Sequence, residues 1–394
     1  MGDTSDRPRM AILATVPLTI RAFYRQPLAA LAEAGIDVTV MCAGRAGDVA
    51  PLPPGVRFHP MDFTRTTNPL RDLRAVWRLF CVLRRERFDL VQYSTPKAAL
   101  LGTLAARAAR VPVRIYLMWG LYYEGQQGWR RKIWIWFEKL LCFLNTHVVM
   151  NSLENLEVVV RSGIVPRAKS AVIRHGSPCG VDLSEFDAAR WAHCRPALRQ
   201  QLNIPAESVV IGLFGRLTGD KGVNELVGAF VLLARRHPGL ILLVVGPRDE
   251  EKDRPQPETL ATLSSHPQIR NLGWQDVLLP CFATIDIFCL PSYREGLPQA
   301  VLEAQAMCLP VVCTDIMGCR DAAVHGETAF LVAPRSTTAL LEPLERLITD
   351  PDLRATMGRN GRRRIEALFD ARDVVREMVA HRLGLLAEAR KHRR

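Results

Sequence analysis

The sequence predicts an α/β fold of two doubly wound domains that face a central cleft. Three observations predict it. The chain of 394 residues exceeds what one hydrophobic core of about 250–300 residues holds. Short apolar or β-branched runs alternate with helical patterns along its length, an order that gives parallel sheets with helices on both faces. A stretch rich in Gly, Pro and polar residues, His175–Gln200 (HGSPCGVDLSEFDAARWAHCRPALRQ), splits the alternation into two series.

The first series offers the strands MAILATV, DVTVMCA, VRFHPMDF, DLVQYS, VRIYLMW, HVVMNS and SAVIRHG. The second offers VVIGLFG, LILLVVG, IRNLGW, DIFCLPS, PVVCTD and AFLVAP. Helical spacing appears near 69–87, 97–110, 129–144, 223–237, 298–308 and 353–369. The expected domains are residues 1–185 and 186–370, both Rossmann-like. Residues 371–394 are expected to form a helix crossing back to the first domain. There is no solenoid-period repeat and no low-complexity stretch.

Composition narrows the class. Hydrophobic residues at 48% and charged residues at 23% suit a globular chain. The longest apolar runs, such as LILLVV, fall far short of the ~18 residues of a membrane span. Asp3 and Asp6 argue against a signal peptide, so a cytosolic protein is expected. Ten cysteines without a C-x-x-C pair are expected to be buried free thiols. The net charge of +12 is uneven: residues 1–190 hold 26 Lys and Arg against 16 Asp and Glu, residues 191–394 hold 26 against 24. Nucleic acid, an anionic membrane or a phosphorylated substrate would each explain that excess. No basic–aromatic repeat or recognition module points to nucleic acid.

In doubly wound sheets ligands sit outside the carboxyl ends of the strands, so chemistry belongs in the loops that follow them. The first such loop is GLFGRLTGDKG, residues 212–222. Gly215 and Gly222 let the backbone turn and approach a ligand. Arg216 and Lys221 place two cations beside a helix N-terminus, an unfavourable neighbourhood unless an anion such as a diphosphate is present. The plainer reading is a Gly-rich turn with two solvated cations.

The second loop is PSYREGLPQAVLEAQAMCLPVV, residues 291–312, with Pro298 suited to the first turn of a helix. Glu295 precedes that helix and Glu303 lies on its second turn. A carboxylate accepts hydrogen bonds from vicinal hydroxyls, so one could meet a hexose and the other a ribose. The plainer reading is a dipole-favoured Glu followed by an exposed one.

Together these motifs resemble family 4 of the retaining glycosyltransferases, which have the GT-B fold. The family pattern G-R-x-x-x-x-K-G, then E-G-x-P-x-x-x-L-E-A-x-A-x-G-x-P-V, is met by Gly215, Arg216, Lys221, Gly222, Glu295, Gly296, Pro298, Leu302, Glu303, Ala304, Ala306, Pro310 and Val311. The resemblance implies that Arg216 and Lys221 hold the donor pyrophosphate, Glu295 the transferred sugar and Glu303 the ribose. It implies that the N–H groups of Gly296 and Leu297 orient sugar and phosphate. A hexosyl or N-acetylhexosaminyl residue would pass, with retained configuration, from a nucleotide sugar, most often a UDP sugar, and no metal or other cofactor is implied.

STPKAALLGTLAARAARVPVRIY, GSPCGVDLSEF and GCRDAAVHGETAFLVAP resemble members that build polysaccharides or lipid-linked oligosaccharides. The implied acceptor is a saccharide or a polyprenyl-linked one, and the cationic first half, the segment 129–144 and the lack of a span lead to the expectation that it is met at the cytoplasmic membrane face. Three departures stand out: Met118-Trp119-Gly120 where many members carry a sugar-contacting His, Cys308 for the usual Gly, and Ala329 for a common Gly. Trp119 reads either as an apolar wall or as core, and His147 reads as structural. A nucleotide-sugar epimerase of similar build, or a nucleotide-sugar-binding scaffold without activity, are the alternatives.

The segment GWRRKIWIWFEKLLCFL, residues 128–144, carries Ile133, Trp136, Phe137, Leu140 and Leu144 on one stripe, with Trp134 beside it. Arg130, Arg131 and Lys132 stand at its start. It reads either as an interfacial helix on an anionic membrane surface or as a core helix packed on its own sheet.

Overall fold

The structure, a computed structural model, describes residues 7–49, 51–63, 68–248 and 253–391. Thirteen strands are assigned among them, one in each run the sequence offered. In the first series these are β1 (Arg9–Leu13), β2 (Asp37–Cys42), β3 (Arg57–Pro60), β4 (Leu90–Tyr93), β5 (Val113–Met118), β6 (His147–Met150) and β7 (Ser170–Val172). In the second they are β8 (Val209–Phe214), β9 (Leu240–Val245), β10 (Ile269–Asn271), β11 (Ile287–Leu290), β12 (Val311–Thr314) and β13 (Ala329–Val332). The first sheet runs β3-β2-β1-β4-β5-β6-β7, the second β10-β9-β8-β11-β12-β13, and each recorded pairing is parallel.

Parallel strands covered on both faces read as continuous apolar runs, not as alternations. β9 (LILLVV), β11 and β12 are buried at every position, and β8 at every position but Val209. The strand order reverses at β1 and at β8, which makes each sheet doubly wound.

Right-handed crossovers then assign the helices to faces. The path β3 to β4 to β5 to β6 places the helices Pro69–Glu86, Pro96–Ala108 and Gly128–Leu144 side by side on one face of the first sheet. The opposite turn, β1 to β2, carries the helix Arg25–Glu33 to the other face, where it packs against the helix Ala371–Lys391.

The chain forms two units. One runs to Gly180 and resumes at Ala371, and the other is Val181–Asp370. The first boundary falls five residues before the expected one, because Leu183, Phe186, Trp191 and Leu198 pack onto the core of the second unit despite their polar surroundings. Both ends of that unit meet: the Val181 N–H donates to the Phe369 carbonyl at 2.8 Å, and Val181 bridges Asp370. The closing helix inserts Val375, Met378, Val379 and Leu386 into the core of the first unit beside Leu28 and Leu31. Its buried Arg382 bonds Gln92 of β4.

The helices Pro17–Phe23, Arg25–Glu33, Leu153–Arg161, Pro257–Ser265 and Thr337–Thr349 were not among the spacings read from the sequence. Among the described residues no helix is long and apolar enough to cross a membrane. All ten cysteines are free. Six are buried, three intermediate, and Cys81 is exposed, which departs from uniform burial.

Candidate active site

The second unit builds its site from three loops at the carboxyl edge of its sheet. After β8 the chain turns at Gly215, exposes Arg216, and returns Leu217 to the Pro247 carbonyl at 2.9 Å. One 3-10 turn, Gly219–Lys221, leads to Gly222 with φ +69°, and the helix Val223–Arg236 begins there. A Cβ on Gly222 would lie 2.1 Å from the Pro291 carbonyl oxygen, so only glycine lets this loop press backbone-to-backbone on the loop after β11.

That contact brings Lys221 to Glu295, 74 positions on: Nζ and Oε1 stand 2.5 Å apart, and both side chains are largely withdrawn from solvent. The loop after β12 closes the far side. Gly318 has φ +72°, and a Cβ there would meet the Gly296 carbonyl oxygen at 2.1 Å. Leu297 is buried in the core and fixes the path of the Gly296 and Leu297 backbone. The helix that follows is Gln299–Ala306, with Pro298 at its N-cap and not in its first turn.

Neighbouring side chains brace this loop. The Arg294 guanidinium donates twice to Asp220, at 3.1 and 3.0 Å, while the Tyr293 N–H donates to the Asp220 carbonyl at 2.8 Å. The Tyr293 hydroxyl donates to Glu225 at 2.6 Å, and the Arg335 guanidinium lies 4.5 Å over its ring. Burial alone would raise the Asp220 pKa. The Thr218 hydroxyl and the cations Arg294 and Lys221 outweigh it and hold the carboxyl below its ordinary value. Asp220, Glu225, Tyr293 and Arg294 escape sequence reasoning because three of them occupy or adjoin positions that the motif leaves open, and Glu225 lies beyond it.

Glu303 lies half-buried on the second turn of the helix Gln299–Ala306. Burial pushes its carboxyl up to about 8, against the opposing hydrogen bond with Gln299. The loops therefore bring together Lys221, Glu295 and the Gly296–Leu297 backbone, with Arg216 exposed on the first loop and Glu303 on the helix that follows the second.

In the first unit, the loop after β5 holds Trp119 half-buried, its ring 5.1 Å from Phe23 and 6.1 Å from Tyr24. The Asn151 amide donates to the Trp119 carbonyl at 3.5 Å. His147 opens β6 at the opposite, amino edge of the sheet, and burial lowers its pKa. The helix Gly128–Leu144 turns much of its apolar surface outward. Trp129, Ile133, Trp136 and Phe143 are exposed, Phe137, Leu140 and Leu144 are half-buried, and only Glu138, Leu141 and Cys142 are buried. The reading as a core helix is thereby corrected: its sheet takes one narrow face, since Glu138 must reach the Tyr116 hydroxyl at 2.9 Å.

Residues 195–364 match the family Glycosyl transferases group 1, and residues 20–176 match the Glycosyl transferase 4-like domain. The capsular polysaccharide biosynthesis glycosyltransferase CapM of Staphylococcus aureus is 29% identical over 320 residues, 81% of this chain and 83% of the relative. The UDP-Gal:α-D-GlcNAc-diphosphoundecaprenol α-1,3-galactosyltransferase of Escherichia coli is 24% identical over 93% of this chain and 94% of its own. Sucrose-phosphate synthase of Thermosynechococcus elongatus superposes with a TM-score of 0.81 at 22% identity, over 97% of this chain and all of that one.

Proposed function

Because the chain belongs to the GT-B glycosyltransferases, we propose that it moves a hexosyl or N-acetylhexosaminyl residue from a nucleoside diphosphate sugar to a lipid-linked saccharide, with retained configuration. The donor is a UDP sugar and lies in the second unit. The observation that carries this reading is the Lys221–Glu295 pair. Glu295 neutralises Lys221. An entering diphosphate takes over the ammonium, and the freed carboxylate turns to the hydroxyls of the transferred sugar. Arg216 joins Lys221 on the diphosphate, the N–H groups of Gly296 and Leu297 orient sugar and phosphate, and Glu303 accepts from the ribose hydroxyls.

During transfer the sugar C1–O bond breaks and the diphosphate leaves with the electron pair. The acceptor oxygen bonds C1 on the same face, and its proton passes to the diphosphate. The two cations stabilise charge where it develops, so no resident cofactor is required. The acceptor is met at the cytoplasmic face of a membrane, which the first unit touches through residues 129–144.

The test is turnover of radiolabelled nucleoside diphosphate sugars with a polyprenyl-linked saccharide as acceptor. Wild type should transfer label. Arg216→Ala and Lys221→Ala should each lose about 10²–10³ in kcat, the usual cost of one electrostatic donor, while the fold survives. Wild-type rates in both variants would sink the assignment.

A further inference from the structure

Three neighbouring helices on one face of the first sheet send large apolar side chains into solvent. On Pro69–Glu86 these are Leu70 (81% exposed), Leu73 and Trp77 (65%), a stripe at i, i+3, i+7 on the side opposite the buried Ala75, Leu79 and Leu83. On Pro96–Ala108 it is Leu104. On Gly128–Leu144 they are Trp129 (68%), Ile133, Trp136 and Phe143 (74%). Monomeric surfaces rarely gather so much apolar area without a partner.

The charge on these helices is mostly of one sign. The three helices carry eleven Lys and Arg but only three carboxylates, Asp72, Glu86 and Glu138. Each of the three is engaged elsewhere: Asp72 with Lys97 at 2.7 Å, Glu86 with Arg9, and buried Glu138 with Tyr116. Among the described residues Arg78 pairs with Asp62 and Arg131 with Glu124, whereas Arg71, Arg74, Arg84, Arg130, Lys132 and Lys139 enter no ion pair.

We propose that these helices form one docking platform for an anionic lipid surface, in which the helix Pro69–Glu86 is a full partner of Gly128–Leu144. Tryptophan and leucine enter the headgroup boundary while flanking cations meet lipid phosphates. A second copy of the chain fits poorly, because a two-fold contact sets the same patch against itself, cation against cation, and the nearby acids Asp62 and Glu124 already pair with Arg78 and Arg131. The proposal rests on the lipid-linked acceptor only for its purpose. The surface itself stands on exposure and charge.

The experiment is co-sedimentation of the full chain with vesicles of phosphatidylcholine, alone or mixed with phosphatidylglycerol. Wild type should pellet with the mixed vesicles at low salt and leave them near 1 M salt, where the Debye length falls to about 3 Å. Arg71→Gln/Arg74→Gln should lower partitioning about thirtyfold at low salt. Leu70→Ser/Leu73→Ser/Trp77→Ser and Trp129→Ser/Trp136→Ser should each release the protein. All these positions are exposed, so the thermal shift given by UDP should be unchanged. Wild-type pelleting of the 70/73/77 variant would overturn the role of its helix. A wild type that ignores the vesicles and elutes as a dimer split by the same changes would make the face a self-interface. A wild type that pellets but transfers no sugar would refute the proposed reaction and leave the platform standing.

Discussion

Two glutamates eight residues apart on one loop and helix should fail differently. Glu303→Gln should weaken the bare nucleoside diphosphate about 10–100-fold, since a hydrogen bond to a charged group contributes roughly 1.5–3 kcal/mol. Glu295→Gln should leave that affinity nearly intact and lower transfer. Equal loss of nucleotide binding in both would refute the division. The raised pKa of Glu303 adds a pH signature. Ribose hydroxyls donate to the carboxylate, so binding favours the ionised form and expels a proton. Wild-type affinity should therefore rise with pH up to about 8, beyond whatever the nucleotide's own titration contributes, and Glu303→Gln should lack that excess. Calorimetry in two buffers of different ionisation enthalpy reads the released proton directly. At this scale the sequence offered Arg216, Lys221, Glu295 and Glu303 as candidates, because fixed spacing around Gly and Pro survives in one dimension. It could not disclose that Lys221 touches Glu295, because the contact depends on Gly222 meeting Pro291 across two strands.

Elements were legible where hydrophobic pattern was unbroken and obscure where it was not. Twelve of the thirteen strands lie inside runs read from the sequence and β1 starts one residue before its run, and for the central strands burial on both faces demands such runs. The helix Thr337–Thr349 hid behind Pro343, a residue that ordinarily ends a helix but is here buried inside one. The helix Pro69–Glu86 falls where helical spacing near 69–87 is read, but that spacing does not say which apolar residues face the sheet: Ala75, Leu79 and Leu83 do, while Leu70, Leu73 and Trp77 face solvent.

Two predictions belong to elements. Cys308 follows the helix Gln299–Ala306 with φ +57°, the left-handed conformation that suits the glycine of the family pattern. A side chain there costs about 1–2 kcal/mol, part of which is returned because glycine has more freedom to lose on folding. Cys308→Gly should thus raise stability by about 0.5–1 kcal/mol in urea denaturation. No gain would mean that packing around the thiol compensates. Asp286 ties the helix Arg195–Gln201 to its sheet, binding Arg199 at 2.7 Å and the Val210 N–H at 2.8 Å. Arg199 is nearly enclosed, and burial lowers its pKa. Asp286→Ala should cost about 3–5 kcal/mol by leaving that guanidinium unpaired. A loss below about 1 kcal/mol would show that the carbonyls of Thr284, Ala206 and Ser208 suffice.

Division of the whole molecule into its two units sharpens the charge reading. Counted over the sequence, the unit made of residues 1–180 and 371–394 holds 32 Lys and Arg against 16 Asp and Glu, a balance of +16. The unit 181–370 holds 20 against 24, a balance of −4. The linear halves concealed this, because residues 371–394 return seven cations to the first unit. The second unit has its own core and its ends are joined by the Val181–Phe369 hydrogen bond. Residues 181–370 expressed alone should therefore fold and be stabilised by a nucleoside diphosphate, about 2.7 kcal/mol at a hundredfold excess over Kd. Failure to fold would mean that this unit leans on the first.

The same joined ends determine how the protein would bear tension. Both chain termini belong to the first unit, while the second hangs from it as a loop whose two attachments touch. Beads fixed to the termini would pull across the first sheet and along the helix Ala371–Lys391. The second unit would carry no load until that helix peels away. An optical trap should register a first step that frees the 21 residues of the helix, followed by a separate rip when force reaches Val181 and Asp370. In this sense the closing helix is a mechanical fuse: it yields first and spares the unit proposed to hold the donor.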